Sequence, residues 1–273
     1  MGIPTLVSAM LINGHNLHVE KNGPEDGRVV LLLHHGLGSV RAWRRQVPAL
    51  AQAGYRVIAY DRWGYGASDA RPGLDLPAFT TDLEDLQTLL DQLKVQAAAL
   101  VGHSDGGTIA LYYASQQPGR VSCLVTVAAH IYLERKMEPA FLELRQSFEQ
   151  DEIFRKGMRS VHGSKDRSVF YNWFDGWHRE EFLAWDMRPA LRNIHCPVMI
   201  VQGEADEHAS PQHAHDIASA IDGAELYLVP GARHMLPQEN YADFNPRLLD
   251  FLGAHANIYN HGGQFMKPEQ EYV

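Results

Sequence analysis

Cysteine is scarce in this chain of 273 residues, which contains only Cys123 and Cys196. Both lie in apolar stretches typical of buried strands, so we predict two reduced thiols rather than a disulfide. Neither belongs to a CxxC pair, and the sequence contains no HExxH motif or other cluster of metal ligands. We therefore expect neither a metal site nor a cofactor.

Long hydrophobic runs and an excess of positive charge are also lacking. No stretch approaches the roughly 18 apolar residues that a membrane helix needs, and the first ten residues do not resemble a signal peptide. The formal net charge is −9, with no long run of one sign, which argues against nucleic-acid and membrane partners. We expect a cytoplasmic protein that acts on a small molecule, as either a monomer or a homodimer.

Apolar runs alternate with helical patterns along most of the chain. The Asn13-Gly14 dipeptide is typical of a hairpin turn between two strands. Strand patterns occupy residues 5–12, 15–21, 29–33, 55–60, 97–101, 121–128, 197–202 and 225–229. Helical patterns occupy residues 41–53, 77–93, 108–117, 211–221 and 241–255. Such alternation predicts an α/β fold with a mostly parallel sheet and helices on both faces.

The alternation stops at residues 130–190, here called the inserted segment, which is rich in aromatic residues and helix-like. We predict that this segment forms a helical cap inserted into an α/β core made of residues 1–129 and 191–256. Its aromatic side chains are candidates for an apolar substrate pocket, although most of them are expected to pack the cap onto the core. These candidates are Trp173, Phe174, Trp177 and Trp185. The polar tail, residues 257–273, has no assigned role.

A G-x-S-x-G pattern, Gly102-His103-Ser104-Asp105-Gly106, follows the strand 97–101 and opens the next helix. This strand–turn–helix setting is the one in which the pattern marks a nucleophilic serine. The two glycines are needed because side chains there would collide with the neighbouring strand and helix. We predict that Ser104 is a catalytic nucleophile.

A serine hydroxyl needs a base and an acid that orients the base. His234 lies in a loop after the last strand and before a helix, which makes it the candidate base among fifteen histidines. Asp206 lies in the loop after the strand 197–202 and is the candidate acid, with Glu204 and Glu207 as competitors. The order Ser, Asp, His along the chain is the order expected for this kind of fold.

Stabilisation of an oxyanion requires two backbone donors near the nucleophile. The N–H of Asp105 is one candidate, because it follows Ser104 directly. The N–H of Leu37 is the other, because the glycine-rich loop after the strand 29–33 lets the backbone approach a substrate closely. His35 in the same loop is expected to brace the loop or to line the pocket rather than to take part in the chemistry.

These landmarks together resemble the α/β-hydrolase superfamily, in its serine-nucleophile branch with a small helical cap. The resemblance also includes Asp61-Arg62-Trp63-Gly64-Tyr65-Gly66-Ala67-Ser68-Asp69, usually a structural loop, and covers residues 29–252. It implies an eight-stranded sheet with a helical cap between strands six and seven. Dehalogenase and epoxide-hydrolase members carry Asp at the nucleophile position, so Ser104 disfavours those activities.

The function that we expect is hydrolysis of a small carboxylic ester or related acyl compound through an acyl-enzyme on Ser104. The same triad also suits a C–C bond hydrolase of ring-fission products, a lactonase or a thioesterase. A third hypothesis is a ligand-binding receptor on the hydrolase scaffold, which the complete triad argues against. Asp105 is unusual at its position, and its carboxylate is a candidate for repelling anionic substrates.

Overall fold

The computed structural model of the chain describes residues 5–255. Eight strands form one sheet in the order β1-β2-β4-β3-β5-β6-β7-β8. The strands are β1 (Leu6–Ile12), β2 (His15–Asn22), β3 (Val29–Leu33), β4 (Arg56–Tyr60), β5 (Ala98–His103), β6 (Val121–Val127), β7 (Val198–Gly203) and β8 (Glu225–Val229). β2 pairs antiparallel with β1 and β4, and all other neighbours are parallel. This confirms the predicted mostly parallel eight-stranded sheet.

Helices connect the strands and cover both faces of the sheet. They are α1 (Gln46–Gln52), α2 (Thr80–Gln92), α3 (Asp105–Gln116), α4 (Glu138–Gln150), α5 (Glu152–His162), α6 (Asp166–Trp177), α7 (Arg188–Leu191), α8 (Pro211–Ala220), α9 (Leu236–Glu239) and α10 (Tyr241–His255). Within residues 5–255, no helix is both long enough and apolar enough to cross a membrane.

Strand periodicity divides the buried side chains between the two faces, since successive residues of a strand point in opposite directions. Leu31 and Leu33 of β3 belong to a core that includes apolar side chains of α2, α3 and α8. Val30 and Leu32 belong to a second core that includes side chains of α1 and α10. The central strands are therefore apolar throughout, as is typical of a parallel sheet covered on both faces.

Two helices begin later than their hydrophobic patterns predict. The pattern at 41–53 corresponds to a 3-10 turn, Val40–Trp43, followed by α1. Pro48 lacks an N–H donor and is best accommodated in the first turn of a helix, which fits the start of α1 at Gln46. Phe79 has a φ of 53°, so helical geometry begins only at Thr80 rather than at Pro77.

The inserted segment contains α4, α5, α6 and the first three residues of α7, and lies between β6 and β7. Its two ends lie side by side, because Met187 donates its N–H to the carbonyl of Ile131 at 2.8 Å and Tyr132 forms a bridge with Asp186. Its assignment as a separate cap stays a prediction. The tail 257–273 lies outside the described residues.

Candidate active site

Ser104 lies in a sharp turn between β5 and α3. Its φ of 55° and ψ of −121° are rarely adopted by residues other than glycine. Its N–H donates to the carbonyl of Val127 at the end of β6, at 2.8 Å. This bond and the start of α3 hold the strained backbone, and they direct the serine side chain to the carboxyl edge of the sheet.

The flanking glycines are required by close backbone contacts. A Cβ atom on Gly102 would lie 2.2 Å from the carbonyl oxygen of Gly106, and one on Gly106 would lie 2.1 Å from that of Leu33. Both distances are far shorter than van der Waals contact. A side chain at either position would therefore collide with the neighbouring helix or strand, as the sequence predicts.

The structure brings Ser104, His234 and Asp206 together from the loops after β5, β8 and β7. The Oγ of Ser104 is 3.1 Å from Nε2 of His234, and Nδ1 of His234 is 2.9 Å from Oδ2 of Asp206. Ser104 is only 4% exposed and His234 only 6%. The chain of contacts matches the geometry in which a neutral imidazole accepts the serine proton while a carboxylate holds the opposite ring nitrogen.

Asp206 is held as a carboxylate. Burial alone would raise its pKa, but the charge of His234 and hydrogen bonds from His234, Ala209 and His208 hold the pKa well below its usual range. The backbone N–H groups of Ala209 and His208 both donate to Oδ1 at 2.8 Å. The Nε2 of Gln202 donates to Oδ2, also at 2.8 Å. These bonds orient both carboxylate oxygens toward His234.

The competing carboxylates occupy other positions. Glu204 is exposed in the same loop. Glu207 accepts the backbone N–H of His234 at 3.2 Å and pairs with the guanidinium of Arg233 at 2.8 Å. Glu207 therefore binds the main chain of the candidate base, whereas Asp206 binds its ring.

His103 also binds the main chain of His234. Its Nε2–H donates to the carbonyl oxygen of His234 at 2.8 Å, and the two ring centroids are 5.2 Å apart. Burial, together with the nearby charge of His234, lowers the pKa of His103 to about 3, so the ring stays neutral. Sequence reasoning did not identify His103, because only its place next to Ser104 distinguishes it from other histidines.

The two predicted oxyanion donors lie on adjacent segments. Asp105 is the first residue of α3, so its N–H is one of those with no acceptor inside the helix. The loop of residues 35–38 is closed by a hydrogen bond from the N–H of Gly38 to the carbonyl of His35, at 3.0 Å. A Cβ atom on Gly36 would lie 2.9 Å from Oδ2 of Asp105, so this loop abuts the start of α3.

The carboxylate of Asp105 is buried between the core and the inserted segment. Its Oδ1 accepts a hydrogen bond from Nε1 of Trp177 at 3.1 Å, and its Oδ2 is 3.6 Å from Nη2 of Arg62. Burial raises the pKa of Asp105, while Arg62 and Trp177 act in the opposite direction. Arg62 is itself buried and pairs with Asp82 at 3.2 Å.

The predicted pocket residues have different environments. Trp177 contacts Asp105, and Trp173 packs against Gly36, where a Cβ atom would lie 2.0 Å from its Nε1. Trp185 packs against Trp177 and donates its Nε1–H to the hydroxyl of Tyr112 at 2.8 Å.

The two remaining candidates lie in other surroundings. Phe174 stacks on Phe170 and His178. His35 is half-buried, and its ring lies 5.2 Å from that of His103.

Trp177 also lines a cavity of about 220 Å³ with residues of both ends of the inserted segment, among them Leu133, Phe141 and Arg179. A cavity of about 870 Å³ lies elsewhere, lined by charged side chains such as Arg188, Asp216 and Asp222, and contains no triad residue. The smaller cavity is not lined by Ser104, Asp206 or His234 either, and it is related to the site only through Trp177, which contacts Asp105.

Among residues 5–255, no group of three or more His, Cys, Asp or Glu side chains is arranged to hold a metal ion. Cys123 and Cys196 are free thiols, and burial raises the pKa of each to about 12. The histidines near Ser104 instead form hydrogen bonds to the backbone and ring contacts with one another.

Comparison with known proteins gives similarities over most of the chain. Residues 29–171 match a family model described as alpha/beta hydrolase fold. The chain is 30% identical to serine hydrolase BPHL of Homo sapiens, over 92% of this chain and 88% of that protein. It is 35% identical to AB hydrolase superfamily protein YfhM of Bacillus subtilis (strain 168), over 88% of this chain and 95% of that one.

A solved structure has a similar fold. It is that of a hydrolase from Pseudomonas aeruginosa PA01, with a TM-score of 0.75 and 25% sequence identity. The similarity covers 90% of this chain and 98% of that one.

Proposed function

Because this chain belongs to the alpha/beta hydrolase fold family, we propose that Ser104, His234 and Asp206 are its catalytic triad. The reaction that we propose is hydrolysis of a small carboxylic ester or related acyl compound through an acyl-enzyme on Ser104. The observation that carries this proposal is the pair of contacts of 3.1 Å and 2.9 Å that join the three side chains.

The geometry supports a two-step mechanism. His234 Nε2 takes the proton of Ser104 Oγ as that oxygen attacks the substrate carbonyl, and the carboxylate of Asp206 stabilises the imidazolium that forms. Collapse of the tetrahedral intermediate expels the alcohol, which receives the proton from His234. A water molecule, deprotonated by His234, then attacks the acyl-enzyme and releases the acid and free Ser104.

The backbone N–H groups of Leu37 and Asp105 are proposed to bind the oxyanion in both steps. Their contribution is expected to be large, because removing a single oxyanion donor typically slows an enzyme by about 10²–10³-fold. The proposed chemistry uses no metal and no cofactor.

The substrate is proposed to be a small molecule without a negative charge near the acyl group. Oδ2 of Asp105 has no hydrogen-bond partner among the described residues and faces Gly36 of the oxyanion loop. The test is the ratio of kcat/KM for matched neutral and anionic esters. Asp105→Asn should reduce the preference for the neutral ester, and an unchanged ratio would contradict this part of the proposal.

The chemical class of the substrate is tested with a panel. The panel contains esters of increasing acyl length, lactones, thioesters and ring-fission products, with Ser104→Ala as the control. Ester hydrolysis with the highest kcat/KM, lost in Ser104→Ala, is the expected result. Faster turnover of a ring-fission product, lactone or thioester would show that this class, rather than an ester, is the substrate. The proposed triad would stay the same. Absence of turnover on the whole panel would favour the receptor hypothesis.

A cytoplasmic location and the choice between monomer and homodimer stay predictions.

A further inference from the structure

Two histidines hold the carbonyl groups of the loop that carries the candidate oxyanion donor. The Nδ1–H of His34 donates to the carbonyl of His35 at 2.8 Å. The Nε2–H of His162 donates to the carbonyl of Leu37 at 3.0 Å. His34 precedes this loop in the sequence, whereas His162 is the last residue of α5 and belongs to the inserted segment.

The other ring nitrogen of each histidine accepts a backbone N–H from one further loop, residues 61–68. The N–H of Arg62 donates to Nε2 of His34 at 3.1 Å, and the N–H of Gly66 donates to Nδ1 of His162 at 2.9 Å. Each imidazole therefore donates with one nitrogen and accepts with the other, which only a neutral ring can do. Both rings bridge the 35–38 loop to the 61–68 loop.

Both bridges are buried. His34 is fully buried and His162 is 2% exposed. Burial is the main cause that lowers the pKa of each ring, well below the usual range for His34. Loss of either hydrogen bond of His162 would remove a partner from the buried carbonyl of Leu37 or from the buried N–H of Gly66, which is unfavourable away from water. The bridges are thus able to fix the position of the 35–38 loop.

The 61–68 loop is itself a rigid support. The carboxylate of Asp61 accepts the N–H of Ala67 and the N–H of Val40, both at 2.7 Å. A Cβ atom on Gly66 would lie 2.0 Å from Oδ2 of Asp61, so Gly66 lies directly on this carboxylate. Because Val40 comes two residues after the 35–38 loop, its hydrogen bond to Asp61 also fixes the backbone at the C-terminal end of that loop.

We propose that His162 is a positioning residue for the oxyanion hole, so that docking of α5 onto the core completes the site. The inference rests on the proposed function of the N–H of Leu37. The peptide that carries this N–H lies between two peptides that are held. His34, in the core, binds the carbonyl of His35, and His162, in the inserted segment, binds the carbonyl of Leu37. An α5 that is displaced from the core would release the Leu37 end of the loop.

Three substitutions of His162 separate its two hydrogen bonds. In His162→Gln the amide nitrogen is near the former Nε2, so the bond to Leu37 is retained. In His162→Asn the amide oxygen is near the former Nδ1, so the bond to Gly66 is retained and the bond to Leu37 is lost. His162→Phe fills the same space and forms neither bond. Met158→Leu, one turn earlier on α5 and buried, is the matched control.

We measure kcat and KM with p-nitrophenyl acetate, and Ki for a trifluoromethyl ketone, which forms an oxyanion when Ser104 adds to it. Loss of the Leu37 bond should lower kcat and raise Ki by about tenfold or more, with KM nearly unchanged, because the hole acts on the transition state. His162→Asn and His162→Phe should show this loss, whereas His162→Gln and Met158→Leu should stay within about threefold of the parent protein. If His162→Asn fails to fold, His162→Phe and His162→Gln give the same comparison.

Equal values of kcat and Ki in all three His162 variants would overturn the inference, whether those values were high or low. Failure of the proposed function is recognised separately. In that case the parent protein would show no turnover, or Ser104→Ala would retain it. Turnover that depends on Ser104 but not on the Leu37 bond would refute the role of His162 alone.

Discussion

At the scale of the residue, His234 is fixed at four points. Its ring contacts Ser104 and Asp206, its N–H donates to Glu207, and its carbonyl accepts from His103. Because a transferable proton requires a well-oriented imidazole, the two main-chain contacts are expected to matter for rate as well as for stability.

Replacement of Glu207 tests the contact to the N–H of His234. Glu207→Ala should lower kcat/KM by about 3- to 10-fold, corresponding to a lost hydrogen bond of about 1 kcal/mol. Glu207→Gln keeps an oxygen acceptor and should retain most of the activity. The measurement is kcat/KM with p-nitrophenyl acetate at a pH of about 7.5.

The matched control for this prediction is Arg233→Ala. It removes the ion pair with Glu207 but leaves the bond to the N–H of His234. Arg233 is 65% exposed, and exposed pairs contribute little, so this variant should behave as the parent protein. A loss in Arg233→Ala equal to that in Glu207→Ala would show that the ion pair is responsible instead.

Sequence position was enough to predict which residues form the triad contacts, because each of them follows a strand whose carboxyl end lies at the same edge of the sheet. It was not enough for His103, Glu207 or His162. His103 and His162 act through contacts with residues 131 and 125 positions away, respectively, which no local pattern encodes. Glu207 was noticed as a competing acid, but its bond to the main chain of His234 depends on how two loops pack.

At the scale of the element, α6 is joined to the start of α3 by the hydrogen bond between Trp177 and Asp105. The bond matters because Asp105 is buried and its other oxygen is 3.6 Å from Arg62, beyond hydrogen-bond distance. The packing of α6 and the ionisation of the Asp105 carboxyl group are therefore linked.

Trp177→Phe should lower the free energy of unfolding by about 1.5–3 kcal/mol, the range for a hydrogen bond to a charged group. In the background of Asp105→Ala the same substitution should cost less, since the acceptor is already absent. Urea denaturation of the four proteins of this double-mutant cycle measures the difference.

Trp185→Phe serves as the control, because Trp185 donates to the neutral hydroxyl of Tyr112. Its cost should be about 1 kcal/mol and should add to that of Asp105→Ala. Additive costs for Trp177→Phe and Asp105→Ala would contradict the link between α6 and the turn.

The elements themselves were largely predictable, with errors at their starts. The patterns at 41–53 and 77–93 have the right apolar spacing, but Pro48 and the left-handed backbone of Phe79 delay the two helices. The inserted segment was expected to be helical from its lack of strand patterns. Which of its aromatic residues would contact the turn after Ser104 could not be predicted. Trp177 and Phe174 are aromatic residues of the same helix, but Trp177 binds Asp105 whereas Phe174 stacks on Phe170.

At the scale of the whole molecule, the buried neutral histidines make stability depend on pH. Burial is the main cause that lowers the pKa to about 3 for His103 and to about 4 for His213, and it lowers the pKa of His34 and His130 as well. In the unfolded chain these histidines titrate at about pH 6.5. Below that pH the unfolded state binds more protons than the folded state, so acid favours unfolding.

We therefore expect the free energy of unfolding to be nearly constant from about pH 8 to 7 and to fall as the pH drops below about 6.5. Each histidine whose pKa is lowered in the folded state adds a slope of up to about 1.4 kcal/mol per pH unit below about pH 6.5. Urea denaturation at several pH values measures this slope.

His213→Asn is the informative variant for this slope, because its amide oxygen still accepts the N–H of Ile131 and one titrating group is gone. Its slope should be lower by about 1.4 kcal/mol per pH unit. A stability that stays constant down to about pH 5 in the parent protein would contradict the account of these histidines.

Trapping of the acyl-enzyme shows whether Ser104 is the nucleophile. The protein is mixed with p-nitrophenyl acetate, quenched in acid within the first turnover and analysed by mass spectrometry of its peptides. We expect a burst of about one p-nitrophenolate per chain, one acetyl group on the peptide that contains Ser104, and neither in Ser104→Ala. An acetyl group on another residue, or unchanged turnover in Ser104→Ala, would contradict this role of Ser104.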